Sequence, residues 1–139
     1  MIEFSHVYKT YPGPVHALSN VDLDIKKGEF LFLTGPSGAG KTTLFRMISG
    51  FDRPSSGAVV VGGYDLSRIR ASDLAQFRRR IGVVFQDFRL LKNRNVFDNI
   101  ALPLEIRRDK QSYIKKKVEE VLGQVGLSYK WDQLPEQLS

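Results

Sequence analysis

Gly35-Pro-Ser-Gly-Ala-Gly-Lys-Thr42 meets the pattern G-x-x-x-x-G-K-[ST] at every fixed position, and residues of these types at this spacing can hold a chain of phosphates. Gly35, Gly38 and Gly40 permit dihedrals and close approaches that a Cβ would obstruct, so successive N–H groups can converge on one anion. Lys41 carries a mobile positive charge toward the β and γ phosphates. The Thr42 hydroxyl suits Mg²⁺, a hard cation that prefers oxygen ligands. Thr43 is placed to contact the next phosphate back along the nucleotide, and Pro36, Ser37 and Ala39 complete the cradle. A Gly-rich turn before a surface lysine would satisfy the same letters, so the flanking elements have to decide.

Those flanks read as a strand before and a helix after. Glu29-Phe-Leu-Phe-Leu-Thr34 is a short apolar run of strand formers, and Thr43-Leu-Phe-Arg-Met-Ile-Ser49 is helix-compatible up to Gly50. A helix that starts there adds the positive end of its dipole to the loop. Upstream, Ile2, Phe4 and, past a polar break, Val7 alternate like a half-buried strand, as do Val21, Leu23 and Ile25, which predicts an antiparallel pair. Tyr11-Pro-Gly-Pro14 is the turn between them, and its Tyr11 is an aromatic away from any core stripe. Ala58-Val-Val-Val61 before Gly62-Gly63 predicts a further strand and a tight turn. Asp73-Leu-Ala-Gln76 resembles a capping box opening a short helix through Arg80.

Ile81-Gly-Val-Val-Phe85 is a second continuous apolar run, the pattern of a strand buried on both faces, and Gln86 ends it. From Asp87 onward the pattern is helical. Asn95 to Ala101 predicts a helix stopped by Pro103, and Ile114, Val118, Val121, Leu122 and Val125 mark one face of another, ended by Gly126. A strand-rich portion over 1–86 and a helical portion over 87–139 are expected, with no internal repeat.

With 139 residues, 42% of them hydrophobic, the chain is long enough for one domain with a real core. It has no cysteine, which excludes disulfides and Cys-ligated metals. No apolar run approaches the roughly 20 residues that span a bilayer, and the first residues lack a secretory signal pattern, so neither secretion nor membrane insertion is expected. The net charge of +6 belongs to the second half: through Leu66 six Lys/Arg balance six Asp/Glu, and from Ser67 there are fifteen against nine. Such a surface suits nucleic acid, anionic lipid or an acidic partner, and ordinary solvated helix faces account for it equally well.

A phosphate loop defines a cofactor class and leaves the function open. Tyr11 upstream, Gln86 at the end of Val83-Val-Phe-Gln-Asp87, and Leu134-Pro-Glu-Gln-Leu-Ser139 narrow it. In this order and spacing they resemble the nucleotide-binding domain of ATP-binding-cassette (ABC) proteins. Ile2 to Phe4, Phe32 to Lys41, Phe77 to Gly82 and Asn99 to Pro103 are most similar to the cell-division branch of that family, and lipoprotein-export and amino-acid-import ATPases are similar over the same stretches.

The resemblance implies an α/β fold: a phosphate-loop NTPase core with antiparallel strands at the N-terminus and a helical subdomain, the C-terminal part of the domain lying beyond this chain. It implies ATP and Mg²⁺ as cofactors. Tyr11 would stack on adenine, for which an exposed ring face is enough. Gln86 would sit at the lobe junction, reaching Mg²⁺ and the attacking water through its side-chain oxygen. A groove beside it, lined by Phe88, Leu90, Leu91, Val96 and Phe97, would receive an integral membrane partner, FtsX-like or a transporter permease. The protein would then work as a homodimer at the cytoplasmic face of the inner membrane, with no specific nucleic acid. Leu138 and Ser139 resemble the first two residues of the family's signature motif. Its remaining glycines, the acidic strand and the catalytic glutamate lie downstream in the family, so these 139 residues are expected to bind nucleotide without efficient hydrolysis. A non-hydrolytic regulatory module and a basic nucleic-acid-associated ATPase are the alternatives from other classes.

Overall fold

In a computed structural model, which describes residues 1–13 and 15–138, the chain divides into two compact units, Met1–Val83 and Val84 onward. Pro14 of the predicted turn and Ser139 of the signature-like pair lie outside the described residues.

The first unit is built on β1 (Ile2–Tyr11), β2 (Val15–Ile25), β3 (Ser56–Val61) and β4 (Tyr64–Asp65). They form one antiparallel sheet in the order β2-β1-β3-β4. The alternation in the first 25 residues gives the expected pair, with Ile2 opposite Ile25, Phe4 opposite Leu23 and Tyr11 opposite Val15. The polar break before Val7 is a shift in register, where His6 and Asn20 both adopt positive φ, +49° and +51°. An extra residue at such a bulge returns Val7 to the buried face. The helices α1 (Lys41–Ile48) and α2 (Ala71–Arg78) supply Leu44, Met47 and Phe77 to a core shared with Phe4, Val7, Leu18, Val59, Val61, Leu66 and Ile69. Helix α2 begins two residues before the predicted Asp73 box: the Leu74 N–H bonds Arg70 O, and Asp73 lies inside the first turn, where its charge favours the helix dipole.

Both apolar runs predicted as strands are otherwise. Residues 29–34 and 81–85 carry no strand, and Phe30, Phe32 and Val84 are 81%, 79% and 91% exposed. A strand exists only by its ladder, and among the described residues none of the four strands pairs with either run. The alternation of the first run survives without a ladder. Leu31 and Leu33 line a cleft of about 290 Å³ with Ile2, Ile25, Leu44, Phe45 and Ile48, while Phe30 and Phe32 meet edge to face at 5.0 Å.

The second unit holds α3 (Val96–Ile106) and α4 (Gln111–Gln124), followed by short 3-10 turns at Ser128–Lys130 and Pro135–Gln137. Its core is Val96, Ala101, Ile114, Val118 and Leu122, with Phe97 and Leu138 packed against it. The stripe on α4 is as the periodicity predicts for Ile114, Val118 and Leu122; Val125 falls at the C-cap and is exposed, and Gly126 (φ +70°) turns the chain. Asn95 caps α3 by accepting the Asp98 N–H at 2.8 Å. The Val96 and Phe97 amides, which no helix can satisfy internally, bond the carbonyls of Gln133 and Trp131. Pro103 does not stop α3, which continues to Ile106. The ring sits on the exposed side, where water can meet the carbonyl left without a donor.

Candidate functional site

Gly35, Gly38 and Gly40 have φ of +148°, +81° and +83°, dihedrals an L side chain rarely adopts. At Gly40 space is decisive as well: a Cβ would lie 2.6 Å from Ala17 O and 2.7 Å from the Leu18 side chain. The end of the loop therefore abuts β2 directly. Helix α1 starts at Lys41, and its first ladder bond runs from Leu44 N–H to Gly40 O at 2.9 Å. The amides of Lys41, Thr42 and Thr43 are thus outside the helical ladder, at the positive end of the helix dipole.

The Lys41 ammonium folds back across the loop, donating to Gly35 O at 2.7 Å and Pro36 O at 2.6 Å. Its charge is centred over the backbone arc that the glycines form. Thr42 is exposed in the first turn, and Thr43 is buried at 8% exposure. Ser37 and Ala39 lie on the exposed rim, where Ala39 N–H bonds Pro36 O. This donor set, three unladdered amides and an ammonium, fits a phosphate chain. Among the described residues no group of three or more His, Cys, Asp or Glu could hold a metal. A Mg²⁺ ion here would therefore be held by Thr42 and phosphate oxygens, the way this ion commonly binds with nucleotides.

Tyr11 reaches the same region through the sheet. It pairs with Val15, two residues before the Ala17 carbonyl that touches Gly40, so one hairpin end carries the aromatic and buttresses the loop. Its hydroxyl donates to Asp52 Oδ2 at 2.7 Å, and the Lys9 ammonium lies 4.8 Å from its ring centroid while donating to Asp52 Oδ1 at 2.5 Å. Burial pushes the Asp52 carboxyl up; the hydrogen bonds from Lys9, Tyr11 and the Arg53 amide outweigh it and hold the group below its ordinary value. Lys9 and Asp52 escaped the sequence reading because their contacts join residues more than forty positions apart, beyond any local spacing pattern.

Gln86 is exposed and belongs to the second unit. Past Asp87, Phe88 and Arg89 have φ of +55° and +50°, two successive left-handed residues without glycine, a conformation that costs energy and turns the chain sharply. Of the five residues expected to line a partner groove, Phe88, Leu90 and Leu91 are exposed at 75%, 48% and 37%. Val96 is buried and Phe97 packs edge to face on Trp131 at 6.4 Å, so these two serve the core of the unit.

Residues 18–139 match the model of the ABC transporter family. The chain is 46% identical over 139 residues to the cell division ATP-binding protein FtsE of Bacillus subtilis, all of this chain and 61% of that one. It is 48% identical over 142 residues to the methionine import ATP-binding protein MetN of Chromohalobacter salexigens, covering 41% of that protein. Among solved structures, the dimeric post-hydrolysis state of the ATP-binding cassette MJ0796, bound to ADP and Pi, superposes with a TM-score of 0.89 at 34% identity, over all of this chain and 63% of that one. The chain thus spans about three fifths or less of the length of these relatives.

Proposed function

This chain belongs to the ABC transporter family, and from that membership we propose that it is the ATP-binding part of a membrane complex, of the cell-division FtsE type. The observation that carries nucleotide binding is the phosphate loop, where Lys41 and the unladdered amides of Lys41 to Thr43 converge on one arc of backbone. Gly35 to Thr43 would hold the phosphates, with the Thr42 hydroxyl and phosphate oxygens around Mg²⁺. When bound, Mg²⁺ neutralises charge on the phosphate oxygens. Tyr11 would stack on adenine.

In the whole protein, ATP binding and hydrolysis would be coupled to dimerisation and to an integral membrane partner, FtsX-like, docking near Phe88 at the cytoplasmic face of the inner membrane. The dimeric MJ0796 cassette supports the dimer, and no helix among the described residues is long and apolar enough to cross a membrane. A second reading, the ATP-binding subunit of an amino-acid importer, is favoured by the 48% identity to MetN. Deleting the gene separates the two: failed septation with normal methionine uptake supports the first, and lost uptake with normal division supports the second. Calorimetry of the intact protein with Mg-ATP tests the shared premise, and absence of binding would overturn both.

A further inference from the structure

We infer that Asp52 is a positioning residue for Tyr11, fixing the ring on which the base would stack and tying it to the helix that follows the phosphate loop. The inference rests on the reading of Tyr11 as the stacking aromatic.

Tyr11 is the last residue of β1, beside the turn into β2, and is partly buried. Two contacts hold it. The hydroxyl donates to Asp52 Oδ2 at 2.7 Å, which fixes where the ring points. The Lys9 ammonium, 4.8 Å from the centroid, covers one face, a favourable arrangement for a cation over an aromatic ring. The opposite face is then the one left for a base. Both contacts converge on one carboxylate, because Lys9 also donates to Asp52 Oδ1 at 2.5 Å and to Arg53 O at 2.8 Å.

Asp52 is in turn anchored to α1. Its N–H bonds Arg46 O at 3.2 Å, and Arg46 Nε lies 3.8 Å from its Oδ2. Beside it the Thr10 N–H bonds Ser55 Oγ at 3.0 Å, and the Ser55 N–H bonds Tyr8 O at 2.8 Å, so the strand end is laced to the loop after the helix. A ring already held in its bound rotamer loses less conformational freedom when a base lands on it. Asp52 would thereby raise affinity for a nucleotide it never touches, and the hydroxyl explains what a tyrosine does here that a phenylalanine would not.

The test is calorimetry on the intact protein with two Mg²⁺-loaded ligands: ATP, and inorganic tripolyphosphate, which has no base. Tyr11→Phe and Asp52→Ala should each weaken ATP binding about three- to tenfold, the value of one lost tether. The double variant should bind no more weakly than the weaker single variant, because both remove the same bond. Tripolyphosphate affinity should stay at the parental value in all three. Additive losses, or a matching loss for tripolyphosphate, would overturn the inference, since Asp52 would then be acting on the loop as a whole. Parental ATP affinity in Tyr11→Phe would overturn it too, and that variant remains informative if Asp52→Ala fails to fold. Tyr11→Ala distinguishes the premise: unchanged ATP affinity there removes the stacking reading itself, whereas a loss there with none in Asp52→Ala removes only the role of Asp52.

Discussion

Asn99 and Leu91 are joined at both backbone groups of the leucine: Asn99 Oδ1 accepts the Leu91 N–H at 2.8 Å, and Asn99 Nδ2 donates to the Leu91 carbonyl at 3.1 Å. The same nitrogen lies 3.0 Å from Arg94 O and 2.9 Å from Asn95 O. One amide on α3 therefore pins the loop that carries the exposed Leu90 and Leu91. Only a side chain that both donates and accepts can do this. Asn99→Ala should release the loop at a local cost of about 1 to 3 kcal/mol, the net worth of its two hydrogen bonds to Leu91 at roughly 0.5 to 1.5 kcal/mol each. Amide hydrogen exchange is the measurement: Leu91 should exchange about tenfold faster or more, while the interior of α4 stays protected. Parental protection at Leu91 would mean that the loop holds without Asn99.

Lys41 spends its charge on two carbonyls of its own loop, Gly35 and Pro36. The lysine stem is flexible, so the ammonium can exchange these oxygens for those of a phosphate without moving the backbone. Lys41→Ala should weaken Mg-ATP binding about ten- to a hundredfold, the worth of a charge-assisted contact of roughly 1.5 to 3 kcal/mol. Thermal stability should change little, because the contacts it loses are solvent-exposed. Equal affinity for parent and variant by calorimetry would remove Lys41 from the site.

Elements whose order depends on neighbours close in sequence were legible before the structure. The β1–β2 pair follows from alternation at Ile2, Phe4, Val21, Leu23 and Ile25, and the α4 stripe from Ile114, Val118 and Leu122. The turn of Gly35 to Gly40 into a helix at Lys41 was legible because glycines at fixed spacing mark where the backbone takes positive φ. Phe30 to Leu33 and Val83 to Phe85 have every local mark of a strand, yet strand formation is a property of a pair, and no composition reports whether a partner lies alongside. The Lys9–Tyr11–Asp52 cluster was hidden for a related reason, since its contacts join residues more than forty positions apart. Pro103 shows the converse, a strong local stop overridden where one face of the helix is packed.

Phe88 is 75% exposed on a turn of two left-handed residues, and Leu91 nearby is 37% exposed. An apolar ring held out by an unfavourable backbone conformation is the kind of group a partner buries. Phe88→Asp in the intact protein should abolish co-purification with the proposed membrane partner and leave Mg-ATP affinity at its parental value. Phe88→Gly would relieve the positive φ and should raise stability while still losing the partner. Retention of the partner by Phe88→Asp would exclude this turn from the docking surface.

The carboxylate of Asp52 makes the first unit sensitive to acid in a defined direction. Its hydrogen bonds from Lys9 and Tyr11 favour the charged form more than burial disfavours it, so its pKa is lower in the folded chain than in the unfolded one. A depressed carboxyl contributes stability that is complete above its unfolded value of about 3.9 and is lost as pH falls through the folded value below it. In that interval the unfolded chain takes up a proton that the folded chain does not. The sign is testable by comparing the urea midpoint of the parent with that of Asp52→Asn, which keeps the shape and one of the two acceptor oxygens but has no charge to titrate. Above about pH 5 the parent should be the more stable by a constant margin, and the margin should shrink steadily as pH drops below about 4. Asp52 is the one carboxyl that differs between the two proteins, so the difference between their curves isolates it. A margin that stays constant to pH 3, or widens on acidification, would show that the Lys9 and Tyr11 contacts do not stabilise the ionised carboxylate.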